Sequence, residues 1–427
     1  MLVNYLIYFL SPLLRMINTI VHKPRKSVMF FPHTNCRNDN YDVFNYGADN
    51  VLCVLNYLLN NSYQDYNFTI VYYEKNKLHK YKEYCYVRGY KNVRFVCYES
   101  QLDFFNAVIR NRIILTDNIY QPIHYKIKSQ KIICLGYYVA PFKEDFHRNA
   151  ILGVKGLIKK YKMLNRSFDN YVTTSDICSR LISLDTLVYY PKFKTLGFPR
   201  NDIFYRPNID IRKKILDAIK KAPKYIICYT PTHRDFENSN RKQYKKDVDL
   251  KIHERTIWGN EKQEDESKLY SLLEKLNAVI VAKIHPVQET SILKIDRVCD
   301  RIFLYSEIEK KCDTNLQELL AISDILITDY STTCFDYLHT KKPTIFYMYD
   351  DDDIYKYRGL FIKPISPICP GEIVYNFEDL CEAIDKTLSG EDNFKDKRFF
   401  IHDLLNTHHD GNSTQRVVDV FIDNHDN

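Results

Sequence analysis

The segment "DILITDYSTTCFDYLHTKKPTIFYMYD" (residues 324–350) decides the fold. Its apolar run at residues 325–327 stops at Thr328, Asp329 and a cluster of hydroxyl side chains, and an apolar pattern resumes at Phe335. A second apolar run follows Pro343. Strand, polar turn, helix and strand in this order form the repeating unit of a parallel sheet covered by helices. The segment therefore predicts an α/β fold with polar side chains at the carboxyl end of a buried strand.

The same alternation of apolar runs and amphipathic segments fills the rest of the chain. It predicts strands in the first half at residues 27–31, 68–73, 92–98, 112–116, 131–136 and 171–175, and in the second half within 225–235, 278–286, 325–330 and 343–350. A chain of 427 residues is long for one core, and the rhythm restarts after a boundary near residues 204–224. We expect two doubly wound domains with a cleft where their strand ends open.

The composition is that of a globular protein in a reducing compartment. Hydrophobic residues make up 45% and charged residues 27% of the chain, which excludes global disorder. The net charge of +7 comes without a nucleic-acid-binding motif, so we expect no nucleic-acid partner. The 12 cysteines are scattered and form no Cys-x-x-Cys pair, which predicts neither a disulfide framework nor a zinc site.

The N-terminal segment "MLVNYLIYFLSPLLRMINTIVHKPRK" (residues 1–26) is apolar but interrupted by polar residues. Three interpretations compete: an interfacial amphipathic helix, a helix docked on the soluble fold, and a membrane-spanning helix. The basic cluster at residues 22–26 favours the first, since cations attract anionic lipid. We therefore expect residues 1–25 to form a membrane-associated segment.

Four segments of the second half place hydroxyl or cationic side chains after apolar runs. They are "YTPTHRD" (229–235), "AKIHP" (282–286), "TDYSTT" (328–333) and "YKYRGL" (355–360). Taken singly, each also fits helix capping, a surface Arg–Asp pair or a structural histidine. Because the carboxyl ends of parallel strands meet at one edge, the four together predict a cationic, hydroxyl-rich site that suits a diphosphate. The acidic run at residues 350–353 lacks metal-ligand spacing, so no metal site is predicted.

The ordered motifs resemble one known family. In order, they are "LGFPRND" (196–202), "YTPTHRD", "AKIHP", the 324–350 segment, "YRGL" (357–360), "CPGE" (369–372) and "DGNSTQR" (410–416). This set is similar to the CDP-glycerol glycerophosphotransferases of teichoic acid and capsule synthesis. The likeness covers roughly residues 190–420 and is looser between residues 26 and 61.

The resemblance implies a GT-B-like fold of two Rossmann-like domains facing a cleft. Residues 26–205 would form an acceptor-side domain, and residues 206–427 a CDP-donor-binding domain that includes the C-terminal helices. The implied enzyme moves a polyol phosphate from a CDP-alditol donor to a hydroxyl of a glycan or lipid-linked glycan acceptor and releases CMP. It needs no cofactor, and it lies on the cytoplasmic face of the cell membrane as a peripheral protein.

The resemblance also assigns residues to roles. His285 would act at the donor phosphate as electrophilic stabiliser or acid, with Asp329 and Arg234 as the other catalytic residues. The residues that would bind the donor phosphates are Thr230, Thr232, Lys283, Ser331, Thr332, Asp336, Arg358 and Gly359. A turn near the cleft would contain Gly197, Arg200, Asn201 and Asp202.

The chain departs from the family pattern in its first half. The family has a His-Gly-Thr-Pro sequence whose histidine is the presumed base for the acceptor hydroxyl, and Leu135-Gly136 stands at the His-Gly position here. The donor-side motifs are intact, so we expect acceptor chemistry to have diverged while donor binding is retained. The candidate replacements for the base are His124, His147, Glu144, Asp145 and Asp117.

Two other functions stay open from the sequence. A GT-B glycosyltransferase that uses a nucleotide sugar would share the fold, because fold does not fix function. The hydroxyl-rich segment at residues 328–337 favours the phosphotransferase over it. A non-catalytic homologue that binds a polymer or a partner enzyme would also explain the substitution at Leu135, while retention of His285 and Arg234 opposes that interpretation.

Overall fold

The computed structural model describes residues 10–32, 49–117, 123, 125–136, 139, 153–206, 208–232, 258, 266–284, 300–312, 314–350, 360 and 362–423. The chain divides into two compact units. Unit 1 contains residues 1–139, 145–206 and 405–427, and unit 2 contains residues 140–144 and 207–404. No helix in these described ranges is both long enough and apolar enough to cross a lipid bilayer.

Unit 1 is built on a parallel sheet of seven strands in the order β3-β2-β1-β4-β5-β6-β7. The strands are β1 (Ser27–Phe31), β2 (Asn67–Tyr72), β3 (Val93–Cys97), β4 (Ile113–Thr116), β5 (Lys131–Cys134), β6 (Asn170–Thr173) and β7 (Phe193–Thr195). The α-helices of this unit are α1 (Ser11–Ile20), α2 (Asn50–Asn60), α3 (Leu78–Val87), α4 (Gln101–Arg110), α5 (Gly153–Ser167), α6 (Asp176–Thr186) and, after the chain returns from unit 2, α14 (Ser413–Phe421). Short 3-10 helices are Lys75–Lys77, Tyr190–Lys192 and Pro199–Tyr205.

Unit 2 repeats the design with six parallel strands in the order β10-β9-β8-β11-β12-β13. The strands are β8 (Tyr225–Thr230), β9 (Ala278–Ala282), β10 (Ile302–Leu304), β11 (Ile325–Thr328), β12 (Thr344–Tyr347) and β13 (Glu372–Val374). The helices are α7 (Ile209–Ile219), α8 (Glu266–Lys275), α9 (Tyr305–Cys312), α10 (Leu316–Ile322), α11 (Thr333–Tyr337), α12 (Phe377–Leu388) and α13 (Lys395–Leu405), with 3-10 helices Leu338–Thr340 and Ser366–Ile368. Both strand orders are those of the doubly wound nucleotide-binding fold, so the predicted fold class is confirmed.

The sequences of the central strands are continuous apolar runs, because helices cover both faces of a parallel sheet. All five residues of β1 and all five of β9 are buried. Trp258, the single tryptophan of the sequence, is buried in the core of unit 2. Its ring stacks on Tyr229 at 4.6 Å between centroids, and its carbonyl accepts a hydrogen bond of 2.6 Å from the Tyr347 hydroxyl.

The C-terminal helix corrects the predicted domain boundary, which assigned all of residues 206–427 to the second domain. Residues 405–427 belong to unit 1. The physical reason is a cap supplied from elsewhere in that unit: the Asp202 carboxylate accepts hydrogen bonds of 2.8 Å from the backbone N–H groups of both Ser413 and Thr414. Tyr57 of α2 also hydrogen-bonds Gln415, so α14 is fastened at two points.

Helix α1 is docked on unit 1 by a polar contact and presents apolar side chains on its surface. Asn18 is fully buried and donates hydrogen bonds of 2.7 Å to the Tyr125 carbonyl and to Gln130 Oε1. Its neighbours Leu13, Met16 and Ile20 are 50%, 58% and 79% exposed. The helix is therefore docked on unit 1, and the interfacial amphipathic interpretation of this segment stays a prediction.

Candidate functional site

The carboxyl edge of the unit 2 sheet brings the predicted hydroxyl residues of two strands together. Thr230 ends β8 and Thr328 ends β11, its neighbour in the sheet. Thr328 Oγ1 donates to the Thr230 carbonyl at 2.7 Å, and Thr230 Oγ1 donates to Thr328 Oγ1 at 3.2 Å. The two hydroxyls therefore join the strand ends at the position from which both polar loops start.

Asp329 fastens the loop after β8 to the loop after β11. Its two carboxylate oxygens accept the backbone N–H of Thr232 at 2.9 and 3.0 Å, and the side chain is 2% exposed. A buried N–H needs such an acceptor, because an unsatisfied one costs about 1–3 kcal/mol. Asp329 therefore positions the start of the "THRD" segment, which continues into His233 and Arg234.

The segment after Asp329 contains the hydroxyl of Thr332, which the helix does not use for capping. Thr332 occupies the position before α11 and makes no side-chain capping hydrogen bond. Ser331 Oγ and Thr333 Oγ1 lie 2.9 Å apart and hydrogen-bond each other. Ser331 and Thr332 are partly exposed, whereas Asp336 is buried within α11. Ser331 Oγ also accepts the backbone N–H of Thr333, the first residue of α11, at 3.4 Å, so a capping role explains part of the Ser331 contacts but none of those of Thr332.

Lys283 follows β9 at the same edge of the sheet. Its backbone N–H donates to the Tyr229 carbonyl at 2.8 Å, and its ammonium lies 5.8 Å from the centroid of the Tyr305 ring. The Lys283 charge also acts on the buried thiol of Cys228 in β8. Burial raises the pKa of that thiol to about 12, and the nearby lysine partly opposes this increase.

Four of the predicted site residues lie outside the described residues. They are Arg234, His285, Arg358 and Gly359. The described part of the site therefore consists of Thr230, Thr232, Lys283, Asp329, Ser331, Thr332 and Asp336, and the roles of all these residues stay predictions.

The predicted turn at residues 197–202 lies in unit 1 and has a clear structural task. Gly197 has a φ of +81°, and a Cβ there would lie 2.4 Å from Ser413 Oγ, so a side chain is excluded on two grounds. Arg200, Asn201 and Asp202 are buried in the 3-10 helix that follows, where Asp202 caps α14. This turn holds the C-terminal helix against unit 1.

Asn50 connects that turn to the Leu135-Gly136 segment, a link that sequence reasoning missed. Its Nδ2 donates to the carbonyls of Leu135 and Gly136 at 3.2 and 2.9 Å, and its Oδ1 accepts from the Arg200 N–H at 3.1 Å. Asn50 is also the first residue of α2. The available signal was the Asp49-Asn50 pair before an apolar helical pattern, which is typical of a helix N-terminus.

Two carboxyl groups meet at this N-terminus of α2. Asp49 Oδ1 accepts from the N–H groups of Val51 and Leu52 at 2.9 and 3.3 Å, and Asp117 Oδ2, which follows β4, accepts from Val51 at 3.2 Å. Asp117 is 3% exposed, and its Oδ1 receives no donor from the described residues.

The environment makes Asp117 hold a proton tightly. Burial is the main cause that raises the pKa of its carboxyl well above the ordinary value of 3.8, and the charge and hydrogen bond of Asp49 raise it further. The Val51 N–H and the Arg200 guanidinium act in the opposite direction. Of the five candidate replacements for the acceptor-side base, only Asp117 lies among the described residues, and its surroundings make it a stronger base than an ordinary aspartate.

Comparison with known proteins places the chain beside enzymes of teichoic acid synthesis. It is 26% identical over 329 residues to a teichoic acid glycerol-phosphate primase of Bacillus subtilis (strain 168), with 74% of each protein covered. It is 34% identical over 158 residues to the teichoic acid ribitol-phosphate polymerase TarK of Staphylococcus aureus (strain NCTC 8325 / PS 47), and this covers 37% of the chain but 29% of that polymerase. The chain thus spans most of the primase and less than a third of TarK.

A solved structure supports the fold independently. The wall teichoic acid polymerase TagF matches with a TM-score of 0.70 and 17% identity, over 98% of this chain and 94% of that one. A match to the family described as CDP-Glycerol:Poly(glycerophosphate) glycerophosphotransferase extends over residues 31–422, which includes both groups of candidate residues and every strand after β1. The chain therefore belongs to the CDP-glycerol:poly(glycerophosphate) glycerophosphotransferase family.

Proposed function

We propose that this protein transfers a polyol phosphate from a CDP-linked donor to a hydroxyl of a teichoic-acid-type or capsule-type acceptor and releases CMP. The acceptor oxygen attacks the phosphorus that carries the polyol. A new P–O bond forms, the bond from that phosphorus to the bridging oxygen breaks, and CMP leaves with the electron pair. The proton of the acceptor hydroxyl passes to a base on the protein.

The carboxyl edge of the unit 2 sheet is the observation that carries this proposal. Partly exposed Ser331 and Thr332 follow β11 and the cation Lys283 follows β9, the two strands on either side of β8, and Asp329 fixes the loop after β8 that leads to Arg234. Hydroxyl donors and cations compensate the charge of a diphosphate. Positioning and electrostatic stabilisation are most of what phosphoryl transfer requires from a protein. The predicted acid at the leaving CMP is His285.

Asp117 is our proposal for the proton acceptor on the acceptor side. It follows β4, and Asn50 links its surroundings directly to the Leu135-Gly136 segment where the family has its histidine. The raised pKa of the Asp117 carboxyl suits a base, since efficiency increases as the pKa of the base approaches the working pH. We propose that the reaction uses no cofactor, with the cations of unit 2 balancing the charge of the donor.

Measurement of CMP release tests the function. With a panel of CDP-glycerol, CDP-ribitol and a nucleotide sugar, we expect release only from a CDP-alditol and only with a hydroxyl acceptor. His285→Ala should lower this rate by about 100-fold or more, whereas His79→Ala, a substitution on the exposed surface of α3, should leave it unchanged. Turnover of the nucleotide sugar alone, or a His285→Ala rate equal to that of the parent protein, would contradict the mechanism.

We further propose that α1 attaches the protein to the cytoplasmic face of the membrane. Support comes from the exposed apolar side chains of Leu13, Met16 and Ile20 on a helix that Asn18 holds in place. The basic cluster contributes less than its sequence suggests. Lys26 is paired with Asp65, and the Lys23 ammonium donates to the carbonyls of residues 18 and 21. Apolar burial should therefore dominate the attachment.

Vesicle binding measures this attachment. A Met16→Asp/Ile20→Asp variant should bind vesicles containing phosphatidylglycerol at least about tenfold more weakly than the parent protein, since it loses two side chains that would enter the lipid. The control is Leu102→Asp/Ile209→Asp, which places the same charges at two positions that are each 79% exposed on other helices. If both double variants bind alike, α1 does not make the contact.

A further inference from the structure

Unit 1 contains a polar groove at the edge of its sheet where the strands begin, opposite to the carboxyl edge that Asp117 follows. A groove of about 680 Å³ lies where β2 and β3 begin and where α2 and α3 end. We name it the basal groove, defined by Tyr63, Gln64, Tyr66, Arg88, Lys91 and Asn92. Its volume lies within the range of ordinary ligand sites. Since β2 is six residues long, roughly 20 Å separate this edge from the carboxyl edge.

The aromatic part of the groove is held rigid by ring contacts. Tyr63 and Tyr66 pack edge to face with centroids 5.5 Å apart, and Tyr66 stacks on Phe68 at 6.2 Å. The Tyr90 hydroxyl donates to Asn60 Oδ1 at 2.9 Å. Preorganised tyrosines provide contact area for the CH groups of a sugar or polyol and keep a polar atom for its hydroxyls, with little loss of side-chain entropy on binding.

The amides and helix ends offer hydrogen bonds that suit hydroxyl groups. Asn92 Nδ2 donates to the Gln64 carbonyl at 2.6 Å and so fixes the 64–92 contact, while the Gln64 side chain has no hydrogen-bond partner among the described residues. Asn61 Nδ2 donates a hydrogen bond of 2.7 Å to the Tyr57 carbonyl near the end of α2. Amides both donate and accept, as a hydroxyl does, so several along one groove match a hydroxyl-rich chain.

The groove is positively charged. Its lining contains two cations, Arg88 and Lys91, and no carboxylate among the described residues. Both side chains are exposed. The Arg88 guanidinium lies 3.8 Å from the centroid of the Tyr84 ring, and no described carboxylate pairs with Lys91. Of the nearby acids, Asp65 pairs with Lys26, whereas Asp423 accepts from the hydroxyl of the groove residue Tyr63 at 2.9 Å, so one carboxylate borders the two cations. An anion on a hydroxyl-bearing chain would find both cations available.

We propose that the basal groove binds a phosphodiester-linked, hydroxyl-rich chain, namely a polyol-phosphate segment of the acceptor. Rings contact its carbon backbone, amides bind its hydroxyls, and Arg88 and Lys91 bind its phosphates. This inference rests on the proposed function, because a chain of this chemistry is what the enzyme would extend. Its role is to hold the body of the acceptor away from the reacting end.

Binding of a fluorescent poly(glycerol phosphate) oligomer, measured by anisotropy without any CDP donor, tests the groove. An Arg88→Ala/Lys91→Ala variant should bind the oligomer about tenfold more weakly than the parent protein. The matched control is Lys82→Ala/Arg94→Ala, which removes the same two charges from exposed positions that do not line the groove. All four side chains are exposed, so the variants should keep the parent melting temperature. Equal binding by the two double variants overturns the proposal.

A second variant separates hydroxyl recognition from charge. Gln64→Ala should weaken oligomer binding by about three- to tenfold and leave the binding of inorganic polyphosphate unchanged. If Gln64→Ala weakens the binding of both anions equally, or if a single-stranded oligonucleotide displaces the oligomer at equal concentration, the groove is a general polyanion site and the assigned ligand class is wrong.

Turnover distinguishes a failure of the groove from a failure of the proposed function. With an acceptor long enough to reach both edges of the sheet, Arg88→Ala/Lys91→Ala should raise KM and leave kcat unchanged, and with a short acceptor both constants should stay at the parent values. If oligomer binding depends on the groove residues but no donor releases CMP, the proposed function is wrong and the binding site stands. CMP release with parent-like oligomer binding in the variant refutes the site alone.

Discussion

Replacing Asp329 by alanine is expected to lower the rate of CMP release by about 100-fold or more, because misplacement of catalytic groups by about 1 Å is enough for such a loss. The substitution removes both acceptors of the Thr232 N–H. The loop that continues into His233 and Arg234 then loses its attachment to β11. The buried N–H left without a partner should also cost about 1–3 kcal/mol of the free energy of unfolding.

The same pair of strands offers a matched control at its other end. Asp324, just before β11, accepts the Ile226 N–H of β8 at 2.8 Å and lies near Arg212 and Lys342 at 3.7 and 3.9 Å. Asp324→Ala should destabilise unit 2 by a comparable amount and leave CMP release unchanged, since it acts at the edge where the strands begin. Asp329→Asn keeps one acceptor and should recover part of the activity. Equal losses of rate in the two alanine variants would reduce Asp329 to a purely structural residue.

The sequence predicted the longer strands well and missed two of the shortest. β1 lies at residues 27–31 as predicted, and β4 (residues 113–116) lies within the predicted range of 112–116. The edge strands β10 and β13 have three residues each and are half-buried, so they carry too short an apolar run to be predicted. Short strands take their stability from the neighbour they pair with, and single-sequence periodicity does not contain that information.

In the candidate site, too, the sequence predicted local features and missed contacts between distant segments. Local motifs predicted the residues at the carboxyl edge of the unit 2 sheet, because each follows a strand in its own segment. The contacts that give these residues their tasks are between distant segments. Asp202 caps a helix that begins 211 residues later, and Asn50 hydrogen-bonds Leu135 across 85 residues. Those pairings depend on the three-dimensional fold, so the sequence indicated the functional loops but not the residues that hold them.

Asp117→Asn is expected to make the protein more stable and less active at neutral pH. The folded-state pKa of Asp117 lies above its ordinary value of 3.8, so the folded chain binds this proton more tightly than the unfolded chain. Stability from this group is therefore full at acid pH. It is lost as pH rises from about 4 through the raised pKa, at about 1.4 kcal/mol for each pH unit that separates the folded and unfolded pKa values. Asparagine does not titrate, so this loss of stability does not occur in the variant. Its amide oxygen can still accept the Val51 N–H, and its amide NH₂ can donate to the Asp49 carboxylate.

Melting temperatures and CMP release measured over a range of pH give two independent readouts. Asp117→Asn should melt higher than the parent protein at pH 8 and equally near pH 3.5, while CMP release falls by about 100-fold or more and loses its rise on the acid side. The control Asp169→Asn changes another carboxylate of unit 1, which accepts the Ile132 N–H at 2.8 Å but is paired with Lys126. That variant should melt lower and keep its activity. If Asp117→Asn is more stable than the parent protein but equally active, the Asp49–Asp117 carboxyl pair is strained and takes no part in the reaction. The acceptor-side base would then be one of the other four candidates.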